Sequence, residues 1–247
     1  MASLSKAPDR VSTSDQIVMQ IVRGLYEGQY VAGQKLVEAD LTQRLGVGRS
    51  TVREAFKRLE AEGLITVSLH RGASIRALSR GDVHDILEVV ETLAGLSARL
   101  AAERISRPDD KRMLRHVMAA VKTLAAKDSF ELGRQRGRFY LVLAQIAGNR
   151  ELMRLLPMVQ VHLVRAQFRT TTGVDARKQL IADYERVVAA IIAGAGLQAE
   201  QAMRQHIRNT ARTIQQLPDR YFAASREEPA ISRATKGPAG RPGSRSR

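Results

Sequence analysis

Leu36 to Gly63 reads LVEADLTQRLGVGRSTVREAFKRLEAEG. The layout is a short helix, a tight turn at Leu45-Gly46-Val47 and a second helix beginning near Arg49 or Ser50, which is helix-turn-helix spacing. In the second helix Val52, Ala55, Phe56 and Leu59 recur at i, i+3, i+4 and i+7 and therefore share one face. Arg49, Arg53 and Lys57 recur every fourth residue about a quarter turn away. A core-packed face beside a cationic face is what a helix lying in the DNA major groove requires. Guanidinium groups near its start can fork onto guanine O6 and N7, while the Ser50 and Thr51 hydroxyls and first-turn N–H groups can take phosphate oxygens. A basic stripe alone is more often a solvated face, so its surroundings decide.

Immediately after this stretch, Leu64 to Leu69 (LITVSL) and Ala73 to Ala77 (ASIRA) form two short β-branched runs joined through His70, Arg71 and Gly72. That pattern predicts a hairpin with Arg71-Gly72 at its tip. A helix-turn-helix followed at once by a hairpin is a winged helix, whose tip can lie along the minor groove or backbone. Helices are expected at 12–27, 37–45 and 50–63 before the hairpin. After Ser79 the chain reads as all-α, with helices near 81–106, 108–126, 129–147, 149–171, 176–194 and 197–217. Arg107-Pro108, Gly148-Asn149, Thr170 to Gly173 and Gly194 to Gly196 mark the junctions. The expected fold is mainly α: an N-terminal winged helix-turn-helix over 10–78, then an all-α bundle of six or seven helices over 79–223. Residues 224–247 read as a disordered basic tail, since Ile231 to Arg247 has one apolar residue larger than Ala.

The chain has 247 residues and a formal charge of +15, from 40 Lys and Arg against 25 Asp and Glu. That excess is an argument about anionic partners rather than fold. It does not single out the N-terminal segment, because residues 1–78 hold 11 basic and 8 acidic groups, a surplus of +3, and 79–223 hold +8. The absence of Cys removes disulfides, thiolate metal sites and cysteine nucleophiles, and suits a reducing cytoplasm. MASLSKAPDR lacks the apolar core of a signal peptide, and the longest apolar run, Val187 to Leu197, falls short of the ~20 residues that span a bilayer, so no membrane role is expected. No Gly-rich phosphate loop, nucleophile elbow or HExxH motif occurs, and no enzyme is expected.

Leu36, Glu38, Leu41, Leu45-Gly46-Val47, Arg49, Val52-Arg53-Glu54-Ala55, Leu59, Glu62-Gly63-Leu64 and Arg71-Gly72 stand in an order and spacing that resembles the DNA-binding domain of the GntR family of bacterial transcription regulators. The likeness extends back to Ile17 and the loop from Gly28 to Gly33. The resemblance implies DNA contacts from Arg49, Ser50, Thr51, Arg53 and Gly72, with His70 and Arg71 also at the wing tip. Three positions depart from the family pattern. Ala39 stands where FadR relatives often have Arg, Gly48 replaces the usual Ser before Arg49, and Ser50-Thr51 replaces a common Thr-Pro pair.

Leu87 to Ile105, Phe139 to Leu156 and the helix containing Met203 to Ile207 resemble the C-terminal FCD domain of FadR-type members. Many such domains bind a metal through one Asp and three His. Those positions here are Arg136, Tyr140, Tyr184 and His206, so the resemblance implies a site with a cation where a metal would sit, and no cofactor is expected. The Arg that relatives use for organic acids is Val90. One reading is a metal-free cavity in which Arg136 and Tyr140, one helical turn apart, hold an anionic or phenolic group, with Tyr184 and His206 opposite and Val90 supplying an apolar patch. The other is that both tyrosines are ordinary core residues and Arg136 lies on the surface. His84, His116 and His162 lack the spacing of a helical metal pair and read as ordinary histidines.

These readings imply a homodimeric, ligand-responsive transcription regulator, a repressor on a short double-stranded DNA palindrome, altered by a small-molecule effector such as an aromatic or lipophilic acid. The alternative is a sequence-tolerant basic nucleic-acid binder without an effector.

Overall fold

The first helix starts where Ser12 and Asp15 cap each other's backbone N–H groups, a reciprocal arrangement that satisfies two orphan donors. In the computed structural model, which describes residues 12–68, 72–126, 129–156, 164–165, 167–168 and 173–224, this helix, α1, spans Thr13–Glu27. It buries Ile17, Ile21 and Leu25, one turn apart, and stops at Gly28, whose φ of 77° is left-handed. Helix α2 is Glu38–Leu45, closed by Gly46, and helix α3 is Arg49–Ala61. Gly48 provides α3 with no side-chain cap, as its departure from the family pattern implies.

The expected hairpin is present as strands β2, Ile65–Ser68, and β3, Gly72–Ile75, antiparallel with Ile65 opposite Ile75 and Ser68 opposite Gly72. The tip, 69–71, lies outside the described residues. Two features correct the sequence reading. A further strand, β1, Lys35–Leu36, pairs with β3 and gives a sheet in the order β1-β3-β2. Two residues carry no legible alternation; β1 is held by β3 and by Gly33 and Gln34 bonding to the Ile75 backbone at 2.9 and 2.8 Å. Strand β3 also ends at Ile75 rather than 77, opposite the start of β2 at Ile65; one more bond in the same register, from the Arg76 N–H to the Leu64 carbonyl at 2.9 Å, closes the ladder.

From Ser79, again a capping box with Asp82, the chain is helical: α4 (Arg80–Arg104), α5 (Pro108–Leu124), α6 (Phe130–Ala147), α7 (Arg150–Leu155), α8 (Val174–Ile192), α9 (Gly196–Gln215) and a 3-10 turn at Asp219–Tyr221. The single helix expected at 149–171 is described as α7 followed by helical residues at Val164, Arg165 and Gln167; much of the rest lies outside the described residues, as does the tail from 225 onward. Helix α4 is central, packed along α9, α6 and α8. Its Ala94, Ala98 and Ala101 are fully buried and small, which lets α9 approach closely. Burial of side chains such as Phe139, Leu143 and Val187 supplies about 1.5 to 3 kcal/mol each.

One hydrophobic cluster runs from Ile17 in α1 to Ile214 in α9, so the N-terminal segment rests on the bundle rather than hanging from a linker. Two contacts position it. Tyr26 of α1 meets Phe130 of α6 edge-on at 5.8 Å, with Arg23 over the same ring at 5.1 Å. Gln167 bonds both the N–H and the carbonyl of Leu78, at 2.8 and 3.0 Å, in the connection between sheet and bundle.

Candidate DNA-reading surface and effector cavity

On α3 the buried residues are Val52, Ala55, Phe56 and Leu59, the stripe read from the sequence. Glu54 and Arg58 turn toward α1, where Glu54 accepts from the Ser14 hydroxyl at 3.0 Å and Arg58 pairs with Asp15. That leaves Arg49, Ser50, Arg53 and Lys57 exposed and Thr51 half-buried. Arg53 is held from the neighbouring helix, its Nε donating to Glu38 Oε2 at 3.0 Å and Oε1 at 3.3 Å. Gly72 has φ of 72° and a β-carbon there would meet nothing within 4 Å, so the backbone angle, not space, calls for glycine. His70 and Arg71 lie outside the described residues. The arrangement presents a cationic helix face whose two flanks are tied to α1 and α2.

A cavity of about 110 Å³ lies where α1, α6, α8 and α9 approach the segment carrying Arg165. That volume suits a small organic ion, not a long chain. Of the residues singled out from the sequence, Arg136, Tyr140 and His206 line it together. Tyr184 stands behind this wall, fully buried and stacked on Phe139 at 4.5 Å, with its hydroxyl accepting from Arg136 Nε at 3.5 Å. Val90 is placed elsewhere, in the common core, and Leu87 on the same helix takes its expected place in the lining. His84 and His116 are exposed, and His162 is outside the described residues.

Among the lining residues that the sequence reading did not single out, Tyr26, Asp183 and Arg165 shape the chemistry most. Asp183 precedes Tyr184 on α8 and is almost fully buried. It accepts from Gln179 Nε2 at 2.7 Å, from Asn209 Nδ2 at 3.0 Å and from His206 Nδ1 at 3.3 Å, and also pairs with Arg186. Burial raises its pKa, but these donors outweigh burial and hold it down at about 2. The sequence signal was available in the spacing of Gln179 from Asp183 and of His206 from Asn209. Burial drives the His206 pKa down to about 4 against the pull of Asp183, helped by the Arg136 and Arg165 charges, so the imidazole is neutral near pH 7. Because ionised Asp183 can only accept, Nδ1 carries the proton and Nε2 is a bare acceptor. Nε2 is buried and has no hydrogen-bond partner among the described residues.

Arg165 places its guanidinium 5.3 Å from the Tyr140 ring centre, and all three of its nitrogens are buried without a hydrogen-bond partner among the described residues. Both arginines act on the two phenols. Burial would raise Tyr184, yet the Arg136 and Arg165 charges and the hydrogen bonds of Arg136 and Tyr140 bring it below its ordinary value, whereas burial and the neighbouring phenol raise Tyr140. Two guanidinium groups beside one carboxylate and one imidazole do not fit a divalent metal, and no cluster of three or more His, Asp or Glu occurs among the described residues. The donor set suits an anion.

Residues 13–75 match the family described as bacterial regulatory proteins, gntR family, and residues 85–209 match the FCD domain. A Mycobacterium tuberculosis protein described as an HTH-type transcriptional regulator is 27% identical over 89% of this chain and 97% of its own length. The HTH-type transcriptional repressor RspR of Escherichia coli is 24% identical over 83% of this chain and 90% of its own. Among solved structures, E. coli McbR/YncC superposes with a TM-score of 0.71 at 19% identity, covering 84% of this chain and 99% of that one, a likeness of fold.

Proposed function

Because the chain belongs to the gntR family of bacterial regulatory proteins, with an FCD domain behind its helix-turn-helix, and is thus a DNA-binding transcriptional regulator, we propose that it is a dimeric, ligand-responsive repressor of a short palindromic operator. A small organic acid in the cavity alters its DNA affinity. The observation that carries this reading is the cavity itself, lined by Arg136 and His206 from the bundle and by Tyr26 from α1 of the DNA-binding domain. An anion there contacts both domains, and such a ligand shifts DNA affinity to the extent that it binds one placement of the reading heads better than the other. Dimerisation follows from the few bases one winged helix can reach and from the gain in affinity on two half-sites. RspR, named a repressor, supports the sign.

Arg49 and Arg53 are assigned to base edges, Ser50 and Thr51 to phosphates, and Gly72, with His70 and Arg71, to the wing contact. The test is a titration against the DNA upstream of the protein's own gene and a scrambled duplex, each at two salt concentrations. A specific regulator binds the former about a thousandfold tighter or more. Arg53→Ala costs it about 1 to 3 kcal/mol on the operator and much less on scrambled DNA. Equal binding that weakens in parallel with salt supports the sequence-tolerant binder instead.

A further inference from the structure

The cavity wall holds an unbalanced set of charges and hydrogen-bonding groups. Asp183 has its negative charge taken up by Arg186, Gln179, Asn209 and His206, so it is not the counter-charge of the two cavity arginines. Arg136 has a phenol at 3.5 Å from Nε, and Arg165 has aromatic contact with Tyr140 but no hydrogen-bond partner among the described residues for any guanidinium nitrogen. Arg177, also in the lining, has interactions of its own. The Arg165 guanidinium is buried without an anion among the described residues, which is costly, and the half-buried Arg136 flanks the same pair of phenols, so the wall has room for two negative charges. His206 Nε2 adds a different demand, for a donor, because it is an acceptor cut off from solvent.

We propose that the cavity binds a small dianion bearing a hydroxyl group: one anionic end on Arg165, the other on Arg136, and the hydroxyl donating to His206 Nε2. The shared chemistry is that of a short hydroxydicarboxylate or a small hydroxylated phosphomonoester. It narrows the small-acid effector of the proposed function and moves it away from the aromatic acid that Tyr140 and Tyr184 suggest in the sequence. The proposal rests on that reading only for its regulatory consequence; its test is binding without DNA, so the two fail separately.

The experiment is calorimetric titration of the full chain with malate, succinate, glycerol 3-phosphate, lactate and acetate at matched ionic strength. Malate or glycerol 3-phosphate binds saturably, and the tighter of the two identifies the carboxylate or the phosphate source. Succinate, lacking the hydroxyl, binds about tenfold more weakly than malate, and the monoanions lactate and acetate bind more weakly still. Arg165→Met removes the binding, with an unchanged helical circular dichroism spectrum because the residue replaced has no hydrogen-bond partner to lose among the described residues. Arg165→Lys retains part of it. Equal binding of monoanions and dianions, unchanged binding in Arg165→Met, or no binding of either hydroxylated dianion up to about 10 mM overturns the proposal.

Discussion

The ring of Tyr26 lies against the backbone of Gly133: a β-carbon at 133 would stand 2.6 Å from Cε1 and 2.7 Å from Cζ. Tyr26 belongs to α1 and Gly133 to α6, so the DNA-binding domain touches the bundle where only a glycine admits it. The same ring lines the cavity. A helical Gly→Ala substitution ordinarily gains up to about 1 kcal/mol of helix propensity. Here the buried aromatic ring cannot yield without moving α1, and overpacking outweighs that gain. Gly133→Ala is expected to destabilise the protein by about 1 to 3 kcal/mol in denaturant unfolding. Tyr26→Ala, itself destabilising, should suppress the effect, so that the double variant is better than the sum of the singles. Additive losses would place the cost of Gly133→Ala within α6 alone.

Glu38 restrains Arg53 at 3.0 Å, and the pair is largely exposed, with Arg53 68% and Glu38 36% accessible. Such a pair contributes at most about 1 kcal/mol, so it orients the arginine yet releases it at little cost. Glu38→Gln is expected to strengthen binding to scrambled DNA and steepen the salt dependence of log K by about one unit, lowering specificity. Filter binding across a salt series measures both. An unchanged slope would mean that Glu38 does not compete with phosphate for Arg53.

Acid should destabilise the protein in two steps. From pH 6.5, the ordinary histidine value, down to about 4, the unfolded chain takes up a proton at His206 that the folded chain refuses. Stability is therefore full above this window and falls through it, by about 3 kcal/mol. The groups facing His206 are Asp183, Tyr184, Arg136 and Arg165, and the two cations oppose its protonation. Below the ordinary carboxylate value of 3.8, Asp183 adds a second loss that continues toward about 2. Urea unfolding at pH 7, 5 and 4 should show the first step, and His206→Asn should flatten it. A stability curve level between pH 7 and 4.5 would contradict a neutral buried His206.

Past α9 the chain returns to the connection between the sheet and the bundle. Arg80 donates to the Leu217 carbonyl at 2.5 Å, to the Gln215 carbonyl at 2.8 Å and to Asp219 at 2.8 Å, and it covers the Phe222 ring at 4.1 Å. The Ala223 N–H then bonds the Leu78 carbonyl at 3.0 Å. Arg80→Ala is expected to cost about 1 to 2 kcal/mol and to expose 217–224 to limited proteolysis before the rest unfolds. Cleavage rates equal to those of the unsubstituted chain would show that the remaining contacts, Phe222 against Phe168 and Ala223 on Leu78, hold the segment without Arg80.

Which parts were legible follows from how local their causes are. Helix α3 was readable because Val52, Ala55, Phe56 and Leu59 carry its period within one helix, and the Arg49, Arg53 and Lys57 face follows from the same period. Gly28, Gly46 and Gly148 stop helices through their own left-handed backbone. Strand β1 was not readable, since two residues become a strand only when β3 is beside them. Asp183 was not singled out, because what buries it, His206 and Asn209, arrives from α9. Arg165 and Tyr26 sit in no motif, and only the packing of α1 and the Arg165 segment on the bundle brings them to the cavity.

The amino-acid sequence by itself therefore determined most of the helices, the winged helix-turn-helix and the cationic face of α3, since capping, turn chemistry and hydrophobic period act over a few residues. Only the tertiary structure decided which polar groups share the cavity. Arg136, Arg165, Asp183 and His206 come from separate segments, and their charges and proton positions are set by burial and by one another. Desolvation and pairing depend on distances that exist only after the helices have packed.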